Sequence, residues 1–261
     1  MTDSDLPAGT PVLVASGSPH ADGLADATNT GVPAGRSLSV ISGNYTVSDN
    51  GAVIDGKEIR GCVEVRAANV TIRNSRIVAN GCFYAVRNFS TGLTLSDVDI
   101  TCGNANGTGV TATNYTIIRA NIHNCENGLN VGGNVVLEDS YIHDLFAGNG
   151  AHTDGAQFNQ GASNITFRHN TIISPAPGGT SAIIMWDESD PQNTNVLITG
   201  NLLAGGTYTL YCPRNNSSNV NIVGNRFGNY QYGSSNSCVS GHVAQFSGNV
   251  RDSDGGALGA G

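Results

Sequence analysis

At 261 residues the chain has room for one or two globular domains. Only 12% of its residues are charged, and a net charge of −8 excludes the basic face that nucleic acid requires. It holds no apolar run of about eighteen residues, so no membrane-spanning helix is expected.

Residues 1–50 follow no repeat. The stretch ASGSPHADGLADATNTGVPAG is rich in turn formers, with Pro33 and Gly35 marking a loop, and reads as a lead-in or cap. A stack of strands needs its first layer covered, because open edges invite aggregation. His20 and Asp22 lie in this segment and read as members of a solvated loop. The first residues, MTDSDLPAG, carry no basic n-region or apolar h-region. Export is still expected, with a leader removed or by another route.

From Asn69 a nine-residue pattern recurs, starting at residues 69, 92, 114, 134, 164, 195 and 219. Every copy is apolar at its second, fourth and ninth places. Its seventh place is Asn or Ser in all copies but those with Val98 and Ala120. Residues 51–59 are a degenerate earlier copy, and 243–251 a fading last one. Alternating apolar places predict a strand with one face in a core. A recurrent Asn or Ser at a bend predicts stacked polar turns, where such side chains satisfy backbone groups or tolerate left-handed conformations. Between copies lies a second apolar patch, as in Cys62–Arg66, Tyr84–Arg87 and Ile183–Trp186. Each repeat therefore supplies at least two strands and turns back on itself, which is one coil of a parallel β-solenoid with coils about 4.8 Å apart.

This pattern resembles the right-handed parallel β-helix of the pectate-lyase-like superfamily, over roughly residues 50 to 250. The resemblance implies an all-β solenoid of about 8 coils (residues 51–251) behind an N-terminal cap (1–50), with a flexible tail at 252–261. It also implies a carbohydrate-active protein. It does not choose among lyases, hydrolases, epimerases, depolymerases and adhesins, which share the fold.

The repeat intervals are 23, 22, 20, 30, 31 and 24 residues, so two neighbouring coils carry insertions. Insertions on a solenoid form loops on its sides, often on the binding face. The first leads into His152-Thr-Asp154-Gly-Ala-Gln157, the densest ionisable cluster in the chain. Alternation turns Ala156 and Phe158 inward and Gln157 and Asn159 outward, with Asn130 beside Gln157 one coil earlier. His152 and Asp154 are expected at the edge of that outward face. Trp186 and Asp187, at the end of the next coil's strand, complete the patch.

Each candidate has its chemistry. Imidazoles titrate near neutrality, so His152 suits a general base or acid. Asp154 suits a catalytic acid, a calcium ligand or a turn residue before Gly155. Trp186, the single tryptophan, suits stacking on a sugar or a place in the core. Asp187 and Glu188 read as a solvated pair with a functional alternative. Arg168 and His169 follow the long loop and are candidate supporting groups, with Arg168 also placed among the substrate binders. His123 and His143 occupy equivalent places on adjacent coils and should stack, as a polar ladder rather than a metal site. Arg66 and Arg87 stack beside Glu64 and suit carboxylates, but lie three to four coils from Gln157.

The leading expectation is an exported lyase that cleaves a uronate-containing polysaccharide by β-elimination, with His152 as base and Asn130 and Gln157 binding substrate. A glycoside hydrolase using Asp154 and Asp187 is the second reading, and a non-catalytic carbohydrate-binding or surface solenoid the third. His152-x-Asp154-Gly-x-Gln157 is similar to a segment of β-helix proteins in this superfamily that carries no assigned mechanism. The pectate-lyase signature around calcium and a catalytic Arg is missing, as is the Asp-Asp dyad with Gly-His-Gly of polygalacturonases. The only lysine, Lys57, stands in the degenerate first coil, which argues against a lysine base. No metal is expected, with calcium left open. A polysaccharide is the expected partner, with no nucleic acid and no membrane, and the chain is expected to be a monomer. Six cysteines without a CxxC pair fit an oxidising compartment, and neighbouring coils suggest the pairs 62–82, 102–125 and 212–238.

Overall fold

The computed structural model describes residues 23–148, 150–185, 192–214 and 217–260. His20, Asp22, Trp186, Asp187 and Glu188 lie outside them. The described residues form strands and turns, with no helix. None therefore forms a helix long and apolar enough to cross a membrane.

The strands stack into three parallel ladders that the chain visits in turn. Ladder A holds the repeat motif: Ile72 pairs with Leu95, Leu95 with Ile117, and the series continues through Leu137, Phe167, Ile198, Ile222 and Phe246. Ladder B holds its ninth place, from Ile77 through Ile100, Ile122, Ile142, Ile172 and Leu203 to Phe227. Ladder C is the second apolar patch, from Val63 through Val86, Val110, Leu129, Ala156 and Ile183 to Leu210. All but Phe246 are buried, and together they make one continuous core. The fold is thus an all-β parallel solenoid.

Regular pairing begins before the first recognisable repeat. Ser39–Ser42 pairs with Lys57–Arg60 on ladder B, and Tyr45–Val47 with Val63–Val65 on ladder C. The motif is not visible there because the described residues before Ser39 form no ladder A strand. At the other end, residues expected as a flexible tail turn back: Arg251 N–H donates to Gly256 O, Leu258 N–H donates to Asn249 O, and Leu258 packs on the core.

The corners are built by asparagine. At the seventh place Asn170, Asn201, Asn225 and Asn249 are buried between ladders A and B. Each Oδ1 from Asn201 onward accepts from the backbone N–H of the preceding coil's asparagine (2.9–3.0 Å), while Nδ2 donates to core carbonyls such as Phe167 O and Ile198 O. Ser140 N–H continues the series to Asn170. A buried, fully bonded amide column of this kind satisfies turn groups that water cannot reach. A second column runs along the first place, where Asn134, Asn164, Asn195 and Asn219 sit at φ near +57° and each Nδ2 donates to the previous Oδ1. Both roles expected of a recurrent asparagine are therefore present, at different corners.

Three disulfides tie neighbouring coils: Cys62–Cys82, Cys102–Cys125 and Cys212–Cys238, the pairs that coil adjacency suggests.

Candidate functional site

Ladder C carries the candidate site. Its outward residues pair across consecutive coils in the order Glu64, Arg87, Thr111, Asn130, Gln157, Ile184 and Tyr211. Asn130 and Gln157 are register partners, as alternation requires. Neither side chain is spent on the protein: Asn130 Oδ1 is buried without a hydrogen-bond partner, and the Gln157 amide has none among the described residues. The Gln157 amide and Asn130 Nδ2, about one strand spacing apart, can meet the hydroxyls of one sugar or of two consecutive ones, whereas the buried Asn130 Oδ1 is closed to them. Asn159 follows on the same side of the strand and is half-buried.

His152 and Asp154 part company. His152 is exposed at the end of the inserted loop, and its backbone N–H donates to Glu126 Oε1 at 3.1 Å. The loop around it is pinned: Phe146 N–H donates to Cys125 O, and Thr153 Oγ1 to Phe146 O. Asp154, expected at the edge of the outward face, is instead 0% exposed. The correction follows from period two: Asp154 shares the parity of Ala156 and Phe158, so the first strand residue turns inward with them. Its Oδ1 accepts from Ser181 Oγ at 2.5 Å, its N–H donates to Asn127 Oδ1 at 2.9 Å, and Oδ2 has no partner. Burial pushes its pKa up to about 7, against the opposing Ser181 bonds and with help from Glu126. In the closed fold this carboxyl meets no glycan. Among the described residues no group of three or more His, Cys, Asp or Glu is arranged to hold a metal.

Arg168 is a second correction. The strand Asp154–Arg168 turns a corner before its end, so Arg168 stands on ladder A. There it donates to Glu138 at 2.7 Å, on a different face from Gln157. His169, beside it, faces Asp139 at 3.6 Å, and that partner raises its pKa. His123 and His143 are register partners on ladder B with ring centroids 5.4 Å apart, and His143 also stacks on Tyr141 at 3.9 Å. His143 is bonded to Asn121 and Asp144, and burial is the largest influence on its pKa, which is lowered.

The register adds residues that the motif reading missed. Glu126 and Asn127 hold the inserted loop and the start of the Asp154 strand. Tyr208, Tyr211 and Tyr232 cluster at the C-terminal end of ladder C, with Tyr232 exposed. Tyr211 is the register partner of Ile184, one coil beyond Gln157's own partner, whereas Glu126 and Tyr232 have no sequence signal. Comparison of the chain with protein-family models, with curated proteins and with solved structures finds no match.

Proposed function

We propose that the protein is an exported solenoid that binds an extended, uronate-containing glycan along ladder C and cleaves it by β-elimination. The observation that supports this most is the adjacent pair of unspent amides, Asn130 and Gln157, on one face of a strand introduced by the exposed His152. In this reading the solenoid is the right-handed β-helix of the pectate-lyase-like superfamily, with about eight coils behind an N-terminal cap. Three disulfides support passage through an oxidising compartment.

The chemistry divides as follows. Asn130 and Gln157 hold sugar hydroxyls and set the register of the chain. His152 removes the proton on the carbon next to the uronate carboxylate. The electron pair left behind forms a double bond to the neighbouring carbon as its glycosidic C–O bond breaks, and the leaving sugar oxygen takes a proton from water. Asp154 acts from inside, as the first residue of the strand that positions Gln157.

Digestion of a panel of acidic and neutral polysaccharides tests this, following reducing ends and the ultraviolet absorbance of unsaturated uronates. Both signals should rise with wild type and fall by about a hundredfold or more in His152→Ala. Reducing ends without the absorbance would replace elimination by hydrolysis and require carboxylates other than buried Asp154. Binding without either signal would leave the non-catalytic reading.

A further inference from the structure

Three coils before Gln157, the same face of ladder C carries a cluster that the site above does not use. Arg87 lies between two rings, its guanidinium carbon 4.5 Å from the centroid of Phe89 and 5.2 Å from that of Tyr84. Arg66 also stands over the Phe89 ring, its guanidinium carbon 4.7 Å from the centroid. Phe83 packs edge-on to Tyr84 at 4.7 Å and is 70% exposed, and Phe89 is 45% exposed.

The charge on this cluster is unbalanced. Arginines elsewhere are matched to carboxylates, as Arg73 is to Asp55, Arg119 to Asp97 and Arg168 to Glu138. Glu64 is the register neighbour of Arg87, but its carboxylate is engaged by Arg66 at 2.8 Å. Among the described residues Arg87 has no carboxylate within ion-pair distance. A guanidinium stacked on aromatic rings keeps its in-plane N–H donors free. The platform is also held in place. Thr108 N–H donates to Phe83 O and Phe89 N–H to Val65 O, and the Cys62–Cys82 disulfide ends one residue before Phe83. Exposed rings at pinned backbone positions lose little entropy on binding.

We infer that Arg87, with the rings of Phe83 and Phe89, is an anchoring subsite for a carboxylated sugar, distinct from the Asn130–Gln157 site. The carboxylate takes the free guanidinium N–H groups, and the C–H face of the sugar ring lies on an exposed phenyl ring. Charge complementarity selects this occupant: two guanidiniums face one carboxylate here, on a chain of net charge −8. Arg87 is three pairings from Gln157, which is about 14 Å at one strand spacing each. A glycan lying along the solenoid axis therefore reaches both only when it is roughly four sugars long, since a sugar repeat is close to one strand spacing. The inference rests on the proposal that ladder C binds an acidic glycan, and adds a length requirement to it.

Calorimetric titration with oligomers of galacturonic acid and of mannuronic acid, from dimer to hexamer, tests it alongside cleavage assays. Methyl-esterified and sulfated oligomers serve as comparisons. Affinity should step up at about the tetramer, and Arg87→Gln should remove the step, a loss of about five- to tenfold. Phe89→Ala should act in the same direction. Arg87 is exposed, so Arg87→Gln should keep the wild-type melting temperature. Retention of full affinity by Arg87→Gln, equal binding of the esterified series, preference for sulfated oligomers, or no binding of any uronate oligomer would overturn the subsite. Arg87-dependent binding without cleavage would retain it and remove the lyase reading. Cleavage indifferent to Arg87 would do the reverse.

Discussion

A single parity decides the chemistry of Asp154. It lies two places before Ala156 and four before Phe158, so it faces the core with them rather than joining Gln157 outside. Its carboxyl has one partner, Ser181, and one bare oxygen, and its pKa is pushed from 3.8 to about 7 by burial. The consequence for stability has a definite sign. Between about pH 4 and 7 the folded protein keeps a proton that the unfolded chain has released, so stability falls as pH rises through that window and levels off above it. The loss is at most about 4 kcal/mol for a shift of this size. Asp154→Asn, a neutral isostere, should flatten that slope and be more stable than wild type at pH 8. Denaturant melts of both proteins at pH 5 and pH 8 check this; parallel slopes would mean that the carboxyl is solvated. On the proposed lyase reading, the same variant should retain most of the cleavage that His152→Ala loses, because the Asp154 carboxyl is buried.

At the scale of the element, two asparagine columns hold the corners by different physics, and their variants should differ accordingly. Asn201 is buried, donates to Phe167 O, Thr199 O and Asn225 Oδ1, and accepts from Asn170 N–H. Asn201→Ala strands several of these groups away from water and should cost about 3 kcal/mol. Asn201→Ser should cost less, since Ser75 and Ser140 already occupy this place in other coils. At the outer corner Asn164 is required for its backbone, at φ +59°. Asn164→Gly should change stability by less than about 1 kcal/mol, as Gly92 already stands in that place, whereas Asn164→Val should cost about 2 kcal/mol. Thermal unfolding of the four variants separates a buried hydrogen-bond column from a left-handed corner.

For the whole molecule, stability is shared between neighbouring coils, because each packs only on the next. The disulfides reinforce that arrangement locally, closing loops of 20, 23 and 26 residues. Each should contribute about 3 kcal/mol by restricting the unfolded chain. Their exposure differs: Cys62 is half-buried, while Cys102, Cys125, Cys212 and Cys238 are almost fully enclosed. Dithiothreitol without denaturant should therefore open Cys62–Cys82 first, with the other two following only on unfolding. Thiol labelling with mass analysis reads the order directly. Because Cys82 adjoins Phe83, the same mild reduction should weaken binding at the proposed Arg87 subsite together with the drop in melting temperature that loss of this one disulfide brings.

The sequence by itself determined the repeating unit of this protein. Apolar places two, four and nine recur, and the residues at those places line the core. The polar seventh place named the inner corner, and the order of coils was enough to pair the cysteines. It also placed Asn130 beside Gln157, since both are dictated by local periodicity plus stacking. Only the tertiary structure decided what each coil's neighbours and corners do. Arg168 is eleven residues beyond Gln157 on the strand Asp154–Arg168 yet on another face, because the chain turns a corner between them. Asp154 was legible in parity but its enclosure by Ser181 and Asn127 was not, since those contacts come from the coils on either side. The unpaired state of Arg87 depends on Glu64 turning to Arg66, a choice among side chains that spacing along one chain does not encode. Periodicity is a property of the repeat, whereas burial, charge pairing and the free valences of a site belong to the stack.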